Sequence, residues 1–139
     1  MKQYLDSSVL LRIILRADDA LPDWRTLTNA SSSVLLQLEC LRTIDRVQMT
    51  GEIKGGEIPR TYAALHEVIN TIELLNLGED ILERAGGQFG LPLKTLDAIH
   101  LVTAIAWRER TNEEVTFVTH DNPLAAAARA YDFPVLGVA

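Results

Sequence analysis

The sequence predicts an α/β domain, a parallel sheet covered by helices on both faces. Three observations point there. Apolar stubs too short for helices recur along the chain, stretches with helical spacing separate them, and glycine- and proline-bearing breaks fall between the two kinds of segment.

The stubs predict strands at Lys2 to Leu5, Ser33 to Leu35, Ile72 to Leu75, Val115 to Val118 and Val135 to Val138. Helices are expected at Ser7 to Arg16, Arg60 to Asn70, Glu79 to Ala85 and Pro123 to Ala130. Two more follow from apolar stripes, one through Leu38 and Leu41 continued by Ile44 or Val47, the other through Leu96, Ile99, Val102 and Ala106. The breaks "TGEIKGGEIP", "AGGQFGLP" and "DNP" read as loops inside one domain spanning residues 1–139, with no internal repeat. In sheets of this kind ligands bind beyond the carboxyl ends of the strands.

Of 139 residues, 47% are hydrophobic, enough for a core without disulfides or a structural metal. Cys40 is the only cysteine, which excludes an internal disulfide and a thiolate zinc site and suits a reducing compartment. No signal peptide or apolar run of membrane-spanning length is present, so a cytoplasmic location away from membranes is expected. The net charge of -6 argues against a broad cationic face for nucleic acid.

Four acids fall where such a sheet places its ligands. Asp6 follows the first strand in "YLDSSVLL", and Asp121 follows the fourth in "TFVTHDNP", with Pro123 suited to the next helix's first turn. Glu39 lies near the start of a helix in "SSSVLLQLEC", and Asp97 in the first turn of another that Thr95 could cap. Each has an ordinary explanation: capping and the helix dipole for the aspartates, pairing with Arg42 or Arg46 for Glu39. Convergence of all four at one end of the sheet changes the balance. Clustered carboxylates repel unless a cation joins them, and oxygen-only donors favour Mg²⁺, or Mn²⁺, over zinc. Such an ion usually serves phosphoryl chemistry, which makes phosphodiester hydrolysis the leading reaction. The ion, rather than a basic surface, would then attract the phosphate.

These residues resemble the PIN-domain nucleases, in particular the VapC-type ribonuclease toxins of type II toxin–antitoxin systems. The likeness covers nearly the whole chain and rests on "YLDSSVLL", "SSSVLLQLECLR", "LKTLDAIHLVTAIA", "FVTHDNPLAAAA" and "FPVLGV". It implies a PIN-like three-layer domain with a five-stranded parallel sheet, and a magnesium-dependent endoribonuclease that cuts RNA, is neutralised by a cognate antitoxin and forms a homodimer. Asp6 and Asp97 would be the main metal ligands, and Glu39 and Asp121 would complete the pocket. Ser7 and Thr119 match flanking polar positions that could orient a carboxylate or water. Lys94 stands where the family often has arginine, which keeps the charge and loses a bidentate phosphate contact.

Other residues receive plainer expectations. His100 is expected to be a buried, hydrogen-bonded helix residue, His120 an exposed turn residue and His66 solvated. Trp24 and Trp107 are left unassigned between a partner surface and the core, where aromatic residues at helical spacing more often lie, and the run Ala125 to Ala128 is read as close helix packing. Arg12, Arg42, Arg84 and Lys94 would touch phosphate only if they border the pocket. A phosphatase with an aspartyl nucleophile needs a second acid where Ser8 stands. The remaining alternative is a non-catalytic regulatory module of the same fold that binds metal or a basic peptide.

Overall fold

The computed structural model describes residues 2–15 and 29–138. The chain runs β1 (Lys2–Leu5), α1 (Ser7–Ile14), β2 (Ala30–Ser33), α2 (Leu35–Met49), a 3-10 turn (Gly55–Glu57), α3 (Ile58–Ile69), β3 (Glu73–Leu75), α4 (Glu79–Ala85), α5 (Thr95–Thr111), β4 (Val115–Val118), α6 (Asn122–Ala130) and β5 (Val135–Leu136). All four strand pairings are parallel, in the order β3-β2-β1-β4-β5. The chain builds outward from β1 to β3 on one side, then crosses to the other for β4 and β5. Strand order therefore reverses between β1 and β4, and the carboxyl ends of these two strands are where sheets of this kind take their ligands.

Period-two alternation in the central strands feeds two cores. Leu5 and Val118 pack with Val9, Leu10, Leu36, Ile44 and Leu65 on the face covered by α1, α2 and α3. Their neighbours Tyr4 and Phe117 point the other way, into Leu101, Ile105, Trp107, Leu124 and Ala128 of α5 and α6. A residue slip in either strand would exchange the two sets, so burial on both faces holds the register. Helix α5 is buried over most of its circumference from Ala98 to Ile105, as expected of a helix lying against the sheet with others around it. No helix among the described residues is long and apolar enough to cross a membrane.

Several expectations shift. The second strand lies upstream of Ser33 to Leu35: four residues, Ala30 to Ser33, are all buried between β1 and β3. Serine is a weak strand former, but Ser32 Oγ donates to Leu5 O at 2.6 Å and Ser33 Oγ accepts from Leu35 N at 3.2 Å. The second bond turns the chain into α2, so Val34 and Leu35, which read as a strand by composition, leave the sheet. Leu38 and Leu96 are 56% and 46% exposed and lie off the buried stripes, which on α2 run through Leu36, Cys40, Ile44 and Val47. The last strand stops at Leu136 because Gly137 takes φ +102°, outside the extended region. Arg16 and Trp24 lie outside the described residues.

Candidate functional site

The four acids come from four different elements. Asp6 leaves β1 still in the ladder, its N–H donating to Val118 O at 3.3 Å, with extended backbone and only 5% exposure. It occupies the position before α1 yet makes no side-chain cap, so capping does not account for it. Instead Ser8 Oγ donates to Asp6 Oδ1 at 2.7 Å. Asp121 does cap: its Oδ1 accepts from Leu124 N at 3.0 Å at the head of α6, with Pro123 in that first turn. Thr119 Oγ1 accepts from Asp121 N at 3.0 Å and bends the chain from β4 into that cap.

Glu39 lies one turn into α2. Its Oε1 is 2.7 Å from His100 Nε2, and its Oε2 accepts from Ser7 Oγ at 3.3 Å. Arg42 pairs with Asp45 at 3.2 Å, so the ion pair expected of it with Glu39 gives way to a bond across the site. Asp97 stands in the first turn of α5, half-buried, with no hydrogen-bond partner for its carboxylate among the described residues. Thr95 does not cap this helix; Lys94 occupies the cap position without a side-chain bond.

Charge links these positions. Burial pushes the Asp6 carboxyl upward, opposed by the Ser8 bond, His100 and Thr119, while Asp121 repels it. Asp97 is also raised, by burial first and then by repulsion from Asp121 and Glu39, with His100 and Lys94 acting the other way. Two acids thus hold their protons more tightly because of their surroundings, a condition that an added cation relieves. As placed, no three acid, histidine or cysteine side chains among the described residues are close enough to hold a metal ion. The fit to a hard divalent cation therefore lies in the donor oxygens and the unneutralised charge. The carboxylates would have to close on the ion.

Other candidates sort by contact. His100 is buried and hydrogen-bonded as expected, with Tyr4 Oη at 2.7 Å from its Nδ1. His120 is the correction: it is 7% exposed, its Nδ1 donates to Gly137 O at 2.7 Å, and its Nε2 has no partner among the described residues. It looks like a turn residue in sequence because the β5 tail that covers it comes 17 residues later. His66 is exposed, as read, and Trp107, left unassigned by its sequence, is buried in the core. Arg84 binds Glu109 through both terminal nitrogens, at 3.2 and 3.1 Å, whereas Lys94 is a cation near enough to Asp97 to act on its carboxyl. Lys94 and Thr95 also line a cleft of about 740 Å³ with Phe89, Leu91 and Ile99, next to the turn that carries Asp97.

Sequence reading missed Ser8, noticed only as a residue that is not an acid. Its signal was available: a serine two residues after an aspartate at a strand end is placed to bond back to it.

The sequence profile described as PIN domain matches residues 3–132. The chain is 31% identical over 137 residues to Ribonuclease VapC46 of Mycobacterium tuberculosis (strain ATCC 25618 / H37Rv), covering 96% of this chain and 95% of that protein. It is 30% identical over 142 residues to Ribonuclease VapC35 of Mycobacterium tuberculosis (strain CDC 1551 / Oshkosh), covering 96% and 94%. The crystal structure of PAE2754 from Pyrobaculum aerophilum superposes with a TM-score of 0.68 at 17% identity, over 97% of this chain and 83% of that one, a likeness of fold. With its profile match nearly end to end and these relatives along its whole length, the chain belongs to the PIN-domain family, in its VapC-type group.

Proposed function

We propose that this chain is a metal-dependent endoribonuclease that hydrolyses RNA phosphodiester bonds and is restrained by a cognate antitoxin. The observation that carries the reading is the electrostatic linkage of the acids near the carboxyl ends of β1 and β4, where Asp121 acts on both Asp6 and Asp97 and Glu39 acts on Asp97, in a chain whose relatives are named ribonucleases. Asp6 and Asp97, the two acids with raised carboxyls, would be the principal ligands of Mg²⁺, with Mn²⁺ as a substitute. Glu39 and Asp121 would complete the pocket. Bound there, the ion supplies charge that polarises the phosphate and lowers the pKa of a water.

The chain's own groups do the rest. Ser7 holds Glu39, Thr119 sets the turn that aims Asp121, and Ser8 orients Asp6. Lys94 offers a cation to phosphate at the rim. The same acidic pocket suits an arginine or lysine from the antitoxin, which would compete with metal. A homodimer and a cytoplasmic setting complete the proposal.

The test is cleavage of total cellular RNA by purified protein, wild type beside Asp97→Asn, in Mg²⁺, Mn²⁺ and chelator. Discrete fragments that need both the ion and Asp97 are expected. Intact RNA in every lane, with metal still bound at the acids, would overturn the enzymatic reading in favour of a binding module.

A further inference from the structure

Glu39 and His100 come from opposite sides of the sheet. Glu39 is on α2, whose buried face joins the core shared with α1 and α3, and His100 is on α5, which packs with β4 and α6. Their 2.7 Å contact therefore ties the two helical layers together. Behind it, Tyr4 Oη is 2.7 Å from His100 Nδ1, with the two rings in a T-shaped contact at 5.8 Å. His100 and Tyr4 are 2% and 0% exposed, so neither is placed to meet substrate.

We propose that His100 is a positioning residue for Glu39, its Nε2–H aiming the carboxylate into the site, and that Tyr4 fixes the proton on that nitrogen. The proposal rests on the reading above, in which Glu39 faces the cation. A carboxylate only accepts, so the shared proton sits on Nε2, and the Nδ1 of a neutral imidazole is then left to accept from the tyrosine hydroxyl. Donation runs in one direction, Tyr4 to His100 to Glu39. Ser7 holds the other carboxylate oxygen at 3.3 Å, and together the two contacts restrict a side chain that is otherwise long and mobile. Hydrogen-bond partners behind metal ligands commonly change metal affinity ten- to a hundredfold.

Two substitutions separate positioning from mere packing. In His100→Gln the amide nitrogen lies near the place of Nε2 and can still reach Glu39, whereas in His100→Asn the shorter amide matches Nδ1 and reaches only Tyr4. Mn²⁺ binding by calorimetry is compared for wild type, both variants and Glu39→Gln, alongside thermal unfolding. The expected result is an affinity loss of about tenfold in His100→Asn, near that of Glu39→Gln, with His100→Gln close to wild type. Nitrogen-15 NMR of the unaltered protein reads the ring directly, and a proton on Nε2 of His100 is expected.

Equal binding by His100→Asn and wild type, with Glu39→Gln impaired, overturns the positioning role. So does an equal loss in His100→Asn and His100→Gln, because the Nε2 donor would then not be what matters. A bare Nε2 in the NMR spectrum overturns it even if a variant fails to fold. Unchanged affinity in Glu39→Gln removes Glu39 from the site and the proposal with it, a failure marked by that variant alone.

Discussion

Ser8 Oγ lies 2.7 Å from Asp6 Oδ1, and the same hydroxyl accepts the backbone N–H of His120 at 2.9 Å. One atom thus joins the start of α1 to the segment between β4 and α6, on which Thr119 and Asp121 sit. Ser8→Ala leaves the His120 N–H and one oxygen of a nearly buried carboxylate unmet, which costs about 1–3 kcal/mol. It should also weaken Mn²⁺ binding about tenfold, since Asp6 loses its anchor. Urea unfolding and metal titration on the same sample check both parts. A variant as stable as wild type would mean that water replaces the hydroxyl at no cost.

Asp97 should be a liability to the metal-free fold. Its carboxyl is raised above the ordinary 3.8 by burial and by Asp121 and Glu39, so between the ordinary and raised values the folded chain binds more protons than the unfolded one. Stability from this group is complete below the ordinary value and is lost as pH rises through the raised one. Asp97→Asn carries no such loss. The prediction is that wild type and variant unfold at similar temperatures near pH 3.5 relative to pH 7, where the variant is the more stable. Saturating Mg²⁺ should reverse the order by stabilising wild type. Thermal unfolding across pH, with and without the ion, gives the answer.

What sequence could show was whatever a short window contains. Lys2 to Leu5, Glu79 to Ala85 and Val115 to Val118 form the elements expected of them, because in each the apolar spacing and the breaks around it agree. Ala30 to Ser33 did not read as a strand, since what makes it one is burial between β1 and β3 together with the Ser32 bond to Leu5, both nonlocal. The positions of the acids were local facts too: Asp6 and Asp121 come just after strands, and Glu39 and Asp97 lie near the starts of helices. Their partners were not. Tyr4 and His100 are 96 residues apart, Glu39 and His100 are 61, and no spacing rule joins them.

Cys40 offers a probe of opening in this region. It is 0% exposed within the core beneath Glu39, and its thiol is pushed up to about 12 by burial first and then by the charges of Glu39 and Asp6. At pH 8 about one molecule in ten thousand would carry the thiolate, even before access is considered. The native protein should resist a disulfide reagent at that pH, while the denatured chain reacts at its single cysteine. The residual native rate then measures how often α2 leaves the sheet. Prompt native reaction would show that this helix, and Glu39 with it, is loosely held.

Gly137 and Gly51 both adopt positive φ, +102° and +80°, but only one is crowded. A Cβ at Gly51 meets nothing within 4 Å, so Gly51→Ala should cost only the backbone strain, about 1–2 kcal/mol. At Gly137 the added carbon would stand 2.3 Å from Thr119 O and 3.4 Å from His120 Nδ1, and one of these groups must move. The bonds at stake are Thr119 N to Leu136 O at 3.0 Å and His120 Nδ1 to Gly137 O at 2.7 Å. Both hold the turn in which Thr119 Oγ1 accepts from Asp121 N. Gly137→Ala should therefore destabilise by more than Gly51→Ala, at about 2–4 kcal/mol, and alone of the two should weaken Mn²⁺ binding. Thermal unfolding and calorimetry on the pair decide it. Equal metal affinity in both variants would mean that Asp121 keeps its place through its own cap to Leu124 N, with no help from β5.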